Sequence, residues 1–186
     1  MKFKNAIVLT GGIGTGKSTV VSFLKMFGYK IIDADKISKE VFEEKKELIQ
    51  KIFNTIDRKK LRDIVFNDKN RLKQLEEIIL PEVKKRVINL ATKFEKDNVS
   101  YFVDLPLYFE KQNYNEFNKV VVVYAPKEKQ IKRVTKRDNI TISQIKAILN
   151  NQFDIETKKQ KADFVIDNSK DLKHLQKEIE KFLNML

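Results

Sequence analysis

No cysteine occurs in the 186-residue chain, and histidine occurs once, at position 174. The first absence excludes a disulfide framework and any thiolate metal site. The second leaves little room for serine–histidine or zinc chemistry, because His174 stands among Lys173, Gln176 and Lys177 as a helix-surface residue would. There is no run of about 18 apolar residues to span a bilayer. The start, Met1-Lys2-Phe3-Lys4-Asn5, leads into a strand rather than a signal peptide. These absences predict a cytoplasmic protein without a membrane partner. Internal repeats and low-complexity linkers are also missing, and the length and the 41% hydrophobic content suit one domain with a real core.

Glycine is scarce as well, with five in all, and four of them stand at 11, 12, 14 and 16. Gly11-Gly12-Ile13-Gly14-Thr15-Gly16-Lys17-Ser18 fits G-x-x-x-x-G-K-[ST], the phosphate-binding P-loop, between the apolar run Ala6–Leu9 and an amphipathic stretch from Ser18 to Met26. That context carries the reading, since a strand, a glycine turn and a helix N-terminus together aim backbone N–H groups at phosphate oxygens. A nucleoside triphosphate is the expected ligand, held by Gly12, Gly14, Thr15, Gly16, Lys17, Ser18 and Thr19. Lys17 would reach the β and γ phosphates, and Ser18 would offer its hydroxyl to Mg²⁺.

Lys and Arg number 38 against 26 Asp and Glu, a formal charge of +12. A nucleic-acid surface and a field attracting small polyanions both fit that sign. The excess is lysine spread through helical segments, without interleaved aromatics, which favours a solvated basic surface and no nucleic-acid partner.

Short apolar or β-branched runs recur at Ala6–Thr10, Lys30–Asp33, Ser100–Leu105, Lys119–Tyr124 and Asp163–Asp167, most of them apolar on both faces, with helical periodicity between. The pattern predicts an α/β fold: a doubly wound, mainly parallel five-stranded sheet, whose ligands bind beyond the carboxyl ends of the strands. Residues 34–98 hold helical periodicity and no strand, which predicts a helical insertion, with 1–33 and 99–186 forming the nucleotide-binding core. Asp57, Asp68, Thr141 (with Gln144 in a capping box) and Asp171 mark helix starts. Pro81 is expected to break or kink the helix near Leu80.

Charged residues at strand ends are the chemical candidates. Asp33 closes the second strand, where a kinase needs a carboxylate to orient an acceptor hydroxyl and take its proton; it also suits a helix cap. Asp35 is the better candidate for that cap or for a secondary ligand. Asp104 closes the third strand as a metal-side carboxylate does, although turns favour Asp too. Arg133 and Arg137, one turn apart, can face a triphosphate from a lid over residues 125–151, or can belong to a solvated basic face with Lys127, Lys129, Lys132 and Lys136.

Leu9-Thr10-Gly11-Gly12-Ile13-Gly14-Thr15-Gly16-Lys17-Ser18-Thr19 followed by Ile32-Asp33-Ala34-Asp35 resembles the opening signature of dephospho-coenzyme A kinases. The resemblance runs on through Asp57-Arg58, Leu61–Phe66, Leu75-Glu76, Leu105–Glu110, Lys132-Arg133, Arg137-Asp138, Gln152 and Ala162–Asn168. It implies transfer of the ATP γ-phosphoryl group to the ribose 3′-hydroxyl of dephospho-coenzyme A, the last step of coenzyme A synthesis. Asp33 is then the base, 34–98 the acceptor-binding segment, and Arg133 and Arg137 the lid arginines. No obligatory protein partner is implied. This chain departs from the family pattern in having Leu80-Pro81 for His-Pro, a shortened insertion after Glu44, Lys158 where an arginine is usual, and no glycine shortly after Asn168. Another P-loop kinase of nucleosides or nucleotides would share the loop and the lid, and a nucleotide-dependent nucleic-acid-binding protein would share the charge.

Overall fold

The structure, a computed structural model, describes residues 2–138 and 140–186. Five strands, β1 (Phe3–Gly11), β2 (Ile31–Asp33), β3 (Tyr101–Asp104), β4 (Phe117–Tyr124) and β5 (Phe164–Asp167), form one sheet in the order β2-β3-β1-β4-β5. β1 pairs in parallel with β3 and with β4, and β4 with β5. The strands are apolar on both faces because helices cover both: Ala6, Ile7, Val8 and Leu9 in β1 and Val121, Val122 and Val123 in β4 have no exposed surface. β1 lies between β3 and β4, so its carboxyl end is the place where the strand order turns, the ligand-binding position of open α/β sheets.

The chain divides into two compact units, residues 1–32 with 92–186, and residues 33–91. The first contains α1 (Lys17–Met26), α6 (Tyr108–Lys111), α7 (Lys127–Asp138), α8 (Ile142–Asn150), α9 (Ile155–Lys161) and α10 (Leu172–Leu183). Its core joins Ile7 and Leu9 of β1, Val20 and Leu24 of α1, Phe102, Val121, Val123 and Ile166 of the other strands, and Leu175, Ile179 and Phe182 of α10. The three- and four-residue spacing of the α1 and α10 residues gives each helix one apolar stripe against the sheet. Local chemistry fixes several starts: Thr141 and Gln144 close a reciprocal capping box on α8, and the Asp171 carboxylate accepts from His174 N at the head of α10.

The second unit is helical: α2 (Ala34–Glu44), α3 (Lys46–Phe53), α4 (Arg58–Asn67) and α5 (Lys69–Glu95), the last turn of α5 passing into the first unit from Thr92. Asp57 caps α4 through Lys59 N and Lys60 N. The Asp68 carboxylate accepts from Asn70 N and Arg71 N as α5 begins. Pro81 does not divide α5, contrary to the sequence expectation. An internal proline costs about 3 kcal/mol. Ile79, Val83, Val87 and Ala91 are buried at four-residue spacing along the same helix, and burial of each larger side chain contributes about 1.5–3 kcal/mol, so packing outweighs the lost bond. No helix among the described residues is long and apolar enough to cross a membrane.

Candidate active site

β1 delivers the glycine loop at the strand-order reversal. Gly14 (φ 75°) and Gly16 (φ 90°) adopt the left-handed conformation that other residues resist. A Cβ on Gly16 would lie 2.1 Å from Asn168 Nδ2, and one on Gly14 2.6 Å from the Gln130 carbonyl oxygen, so both positions are closed sterically as well. Thr15 closes the turn by donating from its N and its Oγ1 to the Gly12 carbonyl, at 3.3 and 2.9 Å. Gly16 is the N-cap of α1, without a side-chain cap bond. The leading N–H groups of that helix therefore lack a side-chain cap, an arrangement that suits an anion and is reinforced by the helix dipole.

Lys17, the first residue of α1, places its Nζ 2.5 and 2.6 Å from the two carboxylate oxygens of Asp104. The contact follows from topology, since Leu9 of β1 is in register with Asp104 of β3. The pair is well shielded, with side-chain exposures of 18% and 9%. Ser18 is exposed beside it and Thr19 half-buried, its N bonded to the Gly16 carbonyl. A serine hydroxyl and an aspartate carboxylate are the hard oxygen donors that suit Mg²⁺, which commonly takes one or two carboxylates plus phosphate oxygens and water.

Arg133 of α7 reaches the same loop: Nη1 donates to the carbonyls of Gly14 (3.4 Å) and Thr15 (3.3 Å), and Nη2 to Asn168 O at 2.9 Å. These acceptors are neutral, so the guanidinium charge remains available to an arriving anion. Arg137 is not drawn to the loop with it. Its guanidinium grips Asp138 at 2.6 and 2.7 Å and stays exposed, and the hydrogen bond between the two holds the Asp138 carboxyl below its ordinary range. Of the two arginines expected to face a triphosphate from the lid or to lie on a solvated basic face, Arg133 is bonded to the loop and Arg137 to its i+1 neighbour.

Three residues that the sequence tied to the family pattern, without naming their contacts, bond to this loop. Asn168, just after β5, donates from Nδ2 to Thr15 O at 2.7 Å. Gln152 accepts from Ile13 N at 3.0 Å. Lys158 has no exposed surface; its Nζ lies 2.7 Å from Glu110 Oε1 and 3.2 Å from the Gly11 carbonyl. The sequence marks Lys158 as standing where the family usually has an arginine, and the packing of α9 against the sheet takes it inside. His174 is also less exposed than expected, with Nε2 3.3 Å from Asp167 Oδ2. Burial pushes the Asp167 carboxyl up, but hydrogen bonds from Ser169 and His174 outweigh it and hold it below its ordinary range.

In the second unit, Asp33 closes β2 and caps α2, its Oδ1 accepting from Lys36 N at 2.8 Å. Asp33 and not Asp35 is therefore the cap: Asp35 already lies inside the first helical turn. The same unit holds an open groove of about 270 Å³ with Phe42, Leu61, Val65 and Leu75 as apolar wall and Lys39, Arg58 and Arg62 as basic residues. The Arg58 guanidinium stands 4.8 Å above the Phe42 ring.

A family model described as dephospho-CoA kinase matches residues 5–174. The dephospho-CoA kinase of Helicobacter pylori strain J99 is 43% identical over 196 aligned positions, covering all of both chains. The solved dephospho-CoA kinase from Campylobacter jejuni is similar at TM-score 0.77 and 36% identity, over 99% of this chain and 96% of that one. A solved protein from Thermus thermophilus is similar at TM-score 0.86 and 30% identity, over 100% and 99%.

Proposed function

The chain belongs to the dephospho-CoA kinase family, and from that premise we propose how its residues carry the γ-phosphoryl group of ATP to the ribose 3′-hydroxyl of dephospho-CoA. The glycine loop supports the nucleotide half of this reading: an uncapped helix N-terminus and Arg133 meet at one turn of backbone, and Lys17, the first residue of that helix, extends to Asp104. Gly12, Gly14, Thr15, Gly16 and Thr19 supply the backbone cradle, and Lys17 neutralises the transferring phosphate. Ser18 and Asp104 are the residues that would hold Mg²⁺, which when bound neutralises charge on the phosphate oxygens. Asp33 orients the acceptor hydroxyl and accepts its proton, a role supported by its place at the carboxyl end of β2. The groove of the second unit suits the acceptor's mixed chemistry, with apolar wall for the pantetheine arm and Arg58 and Arg62 for its phosphates.

We place the reaction in the cytoplasm, with no nucleic acid, membrane or obligatory protein partner, and read the +12 charge as a field for polyanionic substrates. The test is an ADP-release assay with Mg-ATP across dephospho-CoA, nucleosides and nucleic acid. Turnover with dephospho-CoA alone, giving a 3′-phosphorylated product by mass spectrometry, is the expected result. Equal turnover with a nucleoside, or stimulation by nucleic acid, overturns it.

Arg133 and Arg137 act in this proposal on charge that grows in the transition state. Arg133→Ala is expected to raise the barrier by about 2–4 kcal/mol while changing ATP affinity little, the mark of a preorganised donor. Arg137→Ala is expected to lower kcat less, since Arg137 must first leave Asp138. Steady-state kcat with ATP binding by calorimetry checks both, and unchanged kcat in both variants assigns them to the solvated face.

A further inference from the structure

Lys158 and Glu110 form a buried ion pair that no step above uses. Lys158 is 0% exposed and Glu110 10% at its side chain, and an ion pair so placed carries a desolvation cost that packed apolar side chains would avoid. Its geometry shows what the cost supports. The ammonium has three N–H donors, and three acceptors from two segments, the end of β1 and the Pro106–Glu110 stretch, converge on it: Glu110 Oε1 at 2.7 Å, the Gly11 carbonyl at 3.2 Å and the Pro106 carbonyl at 3.5 Å. Gly11 is the last residue of β1 and the first of the glycine loop. Pro106 follows Asp104-Leu105, so it sits at the end of the segment that grips Lys17, and its carbonyl also accepts from Thr10 Oγ1 at 3.1 Å. Glu110 Oε1 accepts in addition from Phe153 N at 2.9 Å, next to Gln152, which holds Ile13 N at the tip of the loop.

We propose that the Lys158–Glu110 pair is a positioning device: it fixes the root of the glycine loop, the Asp104–Pro106 segment and the α8–α9 link in one arrangement, and so sets where Lys17 and Asp104 stand. Lys158 has no surface to offer a nucleotide and acts through these backbone carbonyls. A lysine with its charge replaced by a methyl thioether loses all three bonds at nearly constant volume. A displacement of loop backbone by about 1 Å is enough to cost on the order of 10²-fold in turnover.

The inference rests on the ATP-dependent transfer proposed above, so the wild-type chain must first transfer phosphoryl to dephospho-CoA; if it does not, that reading has failed and not this one. Three variants are then compared for kcat, ATP KM and melting temperature. Lys158→Met strands a buried carboxylate and is expected to lower both melting temperature and kcat, the latter on the order of 10²-fold. Lys158→Met with Glu110→Gln removes both charges; melting temperature is expected to recover, while kcat stays at least roughly tenfold below wild type, in the range typical of lost supporting contacts. Lys158→Arg keeps charge and donors and is expected to restore kcat to within about tenfold of wild type. Should Lys158→Met not fold, the double and Arg variants still decide. Wild-type kcat in the double variant, or kcat that follows melting temperature across the set, overturns the proposal and leaves the pair a purely structural one.

Discussion

Lys17→Ala is expected to lower kcat/KM for ATP by at least on the order of 10³-fold, the upper end of what one preorganised donor contributes. From sequence alone the variant should leave the fold untouched, because a phosphate-binding lysine has little packing role. The structure changes that expectation. Lys17 holds Asp104 through both carboxylate oxygens in a shielded place, and removing one partner of a fully buried pair costs roughly 3–5 kcal/mol. With some residual exposure on both sides the loss here should be about 2 kcal/mol, which lowers the melting temperature by roughly 4–8 °C in a chain of this length. Differential scanning calorimetry and turnover assays well below the variant's melting temperature separate the two effects. Near wild-type turnover at saturating ATP and Mg²⁺ would remove Lys17 from the phosphate site, and an unchanged melting temperature would show that the Asp104 contact carries no stability.

What was legible in the sequence depended on how far apart the cooperating residues lie. All five strands were readable because each is a short apolar or β-branched run, most of them apolar on both faces as strands of a buried parallel sheet are. Asp57, Asp68, Thr141 and Asp171 were readable because a cap acts within its own first turn. The glycine loop was readable for the same reason, as strand, turn and helix follow one another directly. Pro81 misled because its local penalty is visible in sequence while the offsetting burial of Ile79, Val83, Val87 and Ala91 becomes decisive only when the helix packs. Asp35 misled by a shift of two positions, since both aspartates suit a cap and only the end of β2 decides between them. Helical spacing and the family resemblance put Arg137 with Arg133, and neither signals the ion pair that Arg137 makes with its neighbour Asp138. Lys158, Glu110 and Asn168 were visible in the sequence only through the family pattern; their contacts were not, because the partners lie on other elements and no spacing within the chain signals them.

Asp33→Asn is expected to lose about 10²–10⁴-fold in transfer to dephospho-CoA, the usual contribution of a positioned base, with ATP affinity unchanged. The carboxylate has two jobs open to it, and the structure shows one of them. Oδ1 accepts from Lys36 N at 2.8 Å and caps α2, while Oδ2 has no hydrogen-bond partner among the described residues and is free to meet a hydroxyl. Asparagine keeps the first job, since its Oδ1 caps a helix about as well as aspartate does. It cannot do the second, because an amide has no basic oxygen to receive the proton. The substitution therefore holds the helix constant and removes only the base, so melting temperature should match wild type while kcat collapses. Asp33→Ala is the complementary variant: it removes the cap as well, and should add a stability loss of about 1 kcal/mol to the same catalytic defect. Measuring kcat, ATP affinity and melting temperature for both separates the roles. If Asp33→Asn transfers phosphoryl at close to the wild-type rate, Asp33 is a helix cap and nothing more, and the base must be sought among other residues of the protein.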